Sequence, residues 1–309
     1  MKYTMYRICC RSALGIACLT LLALQTALAA TGVINAIDQG ALGDGTTLNT
    51  AAFRKSVAAC VKQKGGTIYV PAGIYRTGPI QLQSNITLRL EAGAVLLGSE
   101  VVADYRVDGG RSRPLVWAEN AVNMAICGLG TIDGRGDTFM HLDKPRTEAN
   151  DFERRFTRQG EDFMSPKFGT SDGPVTYSPR PNRLVAFYNC KHVTMRDVLL
   201  KDAPCWTLNF ADCAYVDVDG VKVLNNPVIP NNDGFRGRQP NSEEAHAAII
   251  LDSVRGAIVR NSQAAEGTTT FLMHRDLTEA GLFGNNDVTR AAIVIDPQPS
   301  PFVSSSGEK

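Results

Sequence analysis

Two stretches of the chain alternate apolar and polar residues in the same order. Leu184 to Leu200 reads LVAFYNCKHVTMRDVLL, and Thr207 to Val223 reads TLNFADCAYVDVDGVKV. A shift of 23 positions carries Cys190 onto Cys213, Phe187 onto Phe210, Asn189 onto Asp212, Val193 onto Val216, Met195 onto Val218 and Val198 onto Val221. Alternation with period two is the pattern of a strand with one face buried. A third stretch, Ile250 to Ser262, repeats it, with Val254 matching Cys190, Ala257 matching Val193 and Val259 matching Met195. Repeated short strands at this spacing predict a solenoid, in which each unit buries its apolar face only against its neighbours. The predicted architecture is all-β, a parallel β-helix.

Other segments predict how the ends are finished. Thr50 stands where a cap would precede a helix over Ala51 to Lys62, with Phe53, Val57, Cys60 and Val61 on one face and Gly65-Gly66 as the stop. Such a helix would cover the open N-terminal end of the solenoid. Thr67 to Val70, Pro79 to Leu82 and Ile86 to Leu97 read as short strands broken by Gly or Asn. A charged segment around 141–183 interrupts the pattern. It reads either as a solvated insertion between turns or as one wall of a substrate cleft.

Residues 1–29 read as a secretory signal. Lys2, Arg7 and Arg11 precede an apolar run from Ala13 to Leu24, and Ala27-Leu28-Ala29 fits a cleavage site. The expected mature chain is one β-helix domain from residue 30 to 309, secreted or periplasmic, monomeric and free of the membrane. Lys and Arg number 32 against 31 Asp and Glu, which leaves no global field for nucleic acid. Of eight Cys, five follow the signal: Cys60, Cys127, Cys190, Cys205 and Cys213. They occupy apolar strand positions, which predicts mostly buried thiols and at most one bridge.

Several segments carry a resemblance to a known family. Gly40 to Gly45 (GALGDG), Gly65 to Tyr75 (GGTIYVPAGIY), Leu88 to Ser99 (LRLEAGAVLLGS), Gly128 to Gly136 (GLGTIDGRG) and Pro230 to Gly234 (PNNDG) stand in one register. Together they resemble glycoside hydrolase family 28, the polygalacturonases and relatives that cleave pectin. The resemblance extends from about residue 33 to 235. It implies a right-handed parallel β-helix, a pectic, galacturonan-type substrate, no cofactor or metal, and hydrolysis with inversion. In that chemistry one carboxylic acid protonates the leaving oxygen while an opposed carboxylate activates water, the two about 6.5–9.5 Å apart. Carried onto this chain, Asp233 takes the carboxylate role and Asn231 a substrate-binding role, with Asn232 in place of the family's Thr. On composition alone, Asp233 before Gly234 is also ordinary turn chemistry.

The family's remaining parts are absent from this sequence. It contains no Asp-Asp pair, no Gly-His-Gly and no Arg-x-Lys in the expected setting. The 41 positions from Cys213 to Val254 fall five short of two repeats, and no apolar run occupies Arg236 to Glu244. The expectation is that the catalytic turns are missing near 235–246, so that the turns over 247–303 meet an unfamiliar neighbour. Substitutes exist in principle: Glu243-Glu244 as acids, and Arg236 and Arg238 binding a uronate carboxylate through bidentate pairing. Two other classes stay open: a noncatalytic β-helix that only binds polysaccharide, and, more weakly, a polysaccharide lyase, for which the chain shows no calcium-binding acid cluster.

Overall fold

The computed structural model describes residues 32–107, 111–145, 175–226, 229, 247–263, 270–275, 281–289, 293–295 and 302–304. They form a right-handed parallel β-helix of three sheets, A, B and C, visited in the order C, A, B once per turn. One complete turn runs from Arg183–Tyr188 (sheet C) through Lys191–Arg196 (sheet A) to Leu199–Lys201 (sheet B). The next repeats it with Trp206–Ala211, Ala214–Asp219 and Lys222–Leu224. The 23-residue shift is the pairing register itself: Phe187 lies beside Phe210, Val193 beside Val216 and Met195 beside Val218.

Apolar columns inside the coil explain why the repeat folds this way. In sheet A, Ile68, Leu88, Ile126, Met195, Val218, Val259 and Phe283 stack through successive turns, all buried. In sheet C the column is Ala118, Phe187, Phe210 and Leu251. The Phe187 and Phe210 rings lie 5.3 Å apart and nearly parallel, at 8°. Each turn satisfies its backbone groups against the turn above and below, so pairing and core grow together.

Corners are made by single left-handed residues that also stack. Asn120, Asn189, Asp212 and Ser253 turn the chain from sheet C to sheet A, with φ of 54°, 49°, 55° and 55°. Asn189 Nδ2 donates to Asn120 Oδ1 at 2.6 Å, so the corner has its own side-chain ladder. Asn and Asp tolerate this region better than other side chains. At the sheet A to sheet B corner the equivalent residues include Gly128 (φ 106°), Asp197, Gly220 and Asn261.

The helix forms over Thr50–Lys62, here α1, but its details differ from expectation. Asn49 is the N-cap position, and its side chain caps nothing; it bonds Leu42, Thr47 and Arg76 backbone groups instead. Thr50 is the first helical residue, and its hydroxyl accepts from the Gly78 N–H. The buried face is Ala52, Phe53, Ser56 and Cys60, while Val61 is exposed. The helix packs against the first strands of sheets A and C, which include Val33–Asn35, Gly66–Val70 and Ile80–Gln81. Ile86 to Leu97 is two strands, Ile86–Leu90 and Ala94–Gly98, since Gly93 at φ 80° turns a corner between them. All five described Cys are free, and four are buried.

The 41 positions between Cys213 and Val254 make one turn, not two shortened ones. Ala247–Asp252 pairs directly with Trp206–Ala211, and Arg255–Arg260 with Ala214–Asp219. The junction is stitched on the outer face of sheet A. Asp219 Oδ2 lies 3.1 Å from Arg260 Nε and 3.7 Å from Arg196 Nε, and Asp217 Oδ2 lies 3.7 Å from both guanidinium groups. Among the described residues no helix is long and apolar enough to cross a membrane.

Candidate functional site

Asn231, Asn232, Asp233, Arg236, Arg238 and Glu243-Glu244 lie outside the described residues, as do the signal segment and the middle of the charged insertion. The structure fixes where the connection bearing them leaves and returns. It departs after Lys222–Leu224 in sheet B and re-enters at Ala247 in sheet C. The charged insertion springs from the same B-to-C corner, between Thr131–Asp133 and Arg183–Tyr188. Its base is a hairpin, Met140–Pro145 antiparallel to Val175–Tyr177, with His141 Nε2 3.1 Å from Ser178 Oγ. Arg180 stacks over Tyr177 and donates to the Pro204 carbonyl, which ties that hairpin to the next turn.

The corner itself is an ordered charged row. Lys201 Nζ lies 3.0 Å from Asp133 Oδ2 and 3.1 Å from Asp202 Oδ2, and these two carboxylates hold its amine above the usual lysine range. Asp202 Oδ1 accepts from the Asn226 N–H at 3.0 Å, and Asn225 Oδ1 accepts from the Ala203 N–H at 3.0 Å. Asn225 Nδ2 donates to Thr207 Oγ1 at 2.7 Å. The last described residues before the connection are thus pinned to the turn below, and Ile229 is anchored in the core. One turn further down, Glu100 bridges Arg76 and Arg135, at 3.0 Å each. Its own backbone N–H, then Arg135 and Arg76, hold its carboxyl below the ordinary value. That is the wrong direction for a general acid, which needs a raised pKa.

Beside this row lies the outer face of sheet C, which the sequence reading did not single out. Trp117, Ala186 and Asn209 stand in register on successive strands there and are absent from the core cluster. Arg113 lies 4.5 Å over the Trp117 ring, and Arg183 lies 4.5 Å over Trp206. Trp117 and Asn209 are 3% and 2% exposed, yet Trp117 Nε1 and Asn209 Oδ1 have no hydrogen-bond partner among the described residues; nor has Trp206 Nε1. A buried orphan donor or acceptor is costly and calls for an explanation, which a polar ligand or water can supply. The sequence signal was present: Trp and Asn occupy strand positions where alternation requires an outward side chain. Trp117 and Asn209 are themselves covered, while Trp206, Arg113 and Arg183 around them are partly exposed and offer indole and guanidinium groups to a hydroxylated, acidic chain.

Comparison with known proteins places this architecture. Residues 33–94 match the family described as rhamnogalacturonase A/epimerase, pectate lyase-like. An exo-poly-alpha-D-galacturonosidase of Dickeya chrysanthemi is 44% identical over 120 residues, 34% of this chain and 20% of that protein. A probable polygalacturonase of Vitis vinifera is 28% identical over 216 residues, 64% of this chain and 38% of that protein. The chain is thus similar to polygalacturonases over part of its length and shares a right-handed parallel β-helix fold with them. It spans well under half the length of these relatives. A putative glycosyl hydrolase of Parabacteroides merdae shares 25% identity at a TM-score of 0.55, covering 85% of this chain and 97% of that one. The hyperthermoactive exopolygalacturonase of Thermotoga maritima shares the fold at 19% identity and a TM-score of 0.60, covering 88% and 65%.

Proposed function

We propose that this chain acts on pectic, galacturonan-type polysaccharide as an exported glycoside hydrolase, with the polymer laid across the outer face of sheet C. The observation that carries the reading is the juxtaposition at one corner. The connection bearing Asp233 returns to sheet C beside the strands that carry Trp117 and Asn209 in register, with Arg113 over the Trp117 ring and Arg183 over the Trp206 ring. Guanidinium groups suit uronate carboxylates, and indole and amide groups suit sugar hydroxyls. Asp233 serves as the carboxylate that activates water for inversion, with Asn231, Arg236 and Arg238 on the substrate. A second reading, a β-helix that binds the polymer without cleaving it, is favoured by the absence of an Asp-Asp pair anywhere in the sequence.

A reducing-end assay on polygalacturonate with the full chain separates the readings. New reducing ends without unsaturated product, abolished by Asp233→Asn, are expected of the hydrolase. Binding without reducing ends selects the second reading. Unsaturated product indicates a lyase and removes both. Activity that persists in Asp233→Asn sinks the role given to that residue.

A further inference from the structure

A second feature lies on the other side of the coil, at the start of the sheet A strands. Asn85, Asn123, His192, Tyr215 and Gly256 occupy one register position on successive turns. All five are left-handed, with φ of 63°, 62°, 55°, 59° and 60°. Asn123 donates to Asn85 across one step, and the His192 and Tyr215 rings stack across another, 4.8 Å apart and 15° from parallel. That separation equals the spacing of neighbouring strands, so both rings lie across the coil axis. The next member of the column is Gly256, which has no side chain. The stack therefore ends with one face of the Tyr215 ring turned toward an unfilled position. Tyr215 is 46% exposed, and a groove opens there, lined by Tyr215, Asp217, Gly256, Ile258 and Leu282.

The groove's chemistry is selective. Ile258 and Leu282 give it an apolar wall. Asp217, two residues along from Tyr215, uses Oδ2 toward Arg196 and Arg260, while its Oδ1 is shielded and has no hydrogen-bond partner among the described residues. An aromatic face with room for one further ring, beside an apolar wall, matches a ring with an apolar C–H face. No Lys or Arg is among the described residues lining the groove, and Arg196 and Arg260 are already engaged by Asp217 and Asp219, so a uronate gains no counter-charge there.

We propose that the Tyr215–Gly256 slot is a secondary binding site for a neutral pyranose, separate from the sheet C face. The bound ring continues the His192–Tyr215 stack against the apolar wall of Ile258 and Leu282. The site stands independently of hydrolysis: a chain without any catalytic activity would still hold it.

The test is calorimetric titration of the full chain with β-linked galactotetraose and, in parallel, with tetragalacturonate. Two variants decide it. Tyr215→Asn removes the platform while keeping a residue that accepts left-handed backbone. Gly256→His fills the slot with the ring type that already sits left-handed at His192. The neutral tetraose should bind, weaken at least about tenfold in both variants, and bind more tightly than tetragalacturonate at this slot. Action on polygalacturonate, whatever its level, should be unchanged in both, which separates this site from the one on sheet C. Absence of neutral-sugar binding, affinity untouched by Tyr215→Asn, or tetragalacturonate preferred in a Tyr215-dependent way would each overturn the proposal. So would a Tyr215-dependent complex formed only with a protein. Should Gly256→His fail to fold by circular dichroism, Tyr215→Asn alone decides.

Discussion

Replacing Phe210 by Ala tests whether this molecule behaves as a one-dimensional stack. Phe210 is fully buried between Phe187 and Leu251 in the sheet C column, with its ring stacked on Phe187 at 5.3 Å. An aromatic side chain buries roughly 150–250 Å², which at about 25 cal/mol per Å² corresponds to roughly 4–6 kcal/mol of transfer free energy. Alanine keeps part of that, and lost stacking and a residual cavity add to the cost, so the expected loss is about 3–5 kcal/mol. Because the flanking strands on each side rely on their neighbours, the damage should be local. Hydrogen exchange followed by mass spectrometry reads this directly. Ala247–Asp252 and Arg255–Arg260 should exchange much faster in the variant, while Gly66–Val70 and Ile86–Leu90 stay close to the parent. A loss under about 1 kcal/mol, or an equal loss of protection from Gly66 to Arg260, refutes the stack reasoning. In the parent chain the same measurement should show the turns beyond Ala247 less protected than those before Asn226.

Two further substitutions probe the corners and the buried thiols. A Cβ at Gly128, which sits at φ 106°, would fall 2.0 Å from the Leu90 carbonyl oxygen, so Gly128→Ala should fail to accumulate as folded protein. Gly40 also has positive φ but open space around its Cβ position, so Gly40→Ala should fold with a cost of about 1–2 kcal/mol from backbone strain alone; equal folded yields would refute the contrast. Cys190 and Cys213 stack on consecutive turns, and the neighbouring Cys213 thiol lowers the Cys190 pKa to about 7 while that of Cys213 rises. The alkylation rate of Cys190 should therefore rise with pH around that value, and Cys213→Ala should move the midpoint upward toward an ordinary thiol, near about 8.5. An unmoved midpoint means the pair is not coupled.

How much of this was legible beforehand follows from where the forces lie. The interior was readable because a parallel coil places equivalent residues of successive turns side by side: Phe187 beside Phe210 and Met195 beside Val218 are both a sequence repeat and a contact. The α1 helix was legible in extent but not in facing, because the face depends on which strands it packs against. The sheet C face was missed although Trp117 and Asn209 stand in plain alternation; outward positions carry no periodic signal of their own. The site residues Asn231, Asp233, Arg236 and Arg238 rest on resemblance and lie outside the described residues.

The sequence by itself determined the repeat and the buried columns, since period-two alternation at a fixed shift admits few other packings, and its motifs carried the resemblance to polygalacturonases. Only the tertiary structure decided which turns are neighbours. The connection over residues 225–246 replaces one of only 202–205, yet by the loop-closure relation lengthening a connection by that factor costs roughly 1.5 kcal/mol. Strand pairing and the Arg196–Asp217–Asp219–Arg260 network easily outweigh so small a term, so Ala214–Asp219 meets Arg255–Arg260 across 41 residues as readily as it meets Lys191–Arg196 across 23. For the same reason the column that ends at Gly256 is visible only in the folded coil. Nothing in the chain's linear order places an empty position next to the Tyr215 ring.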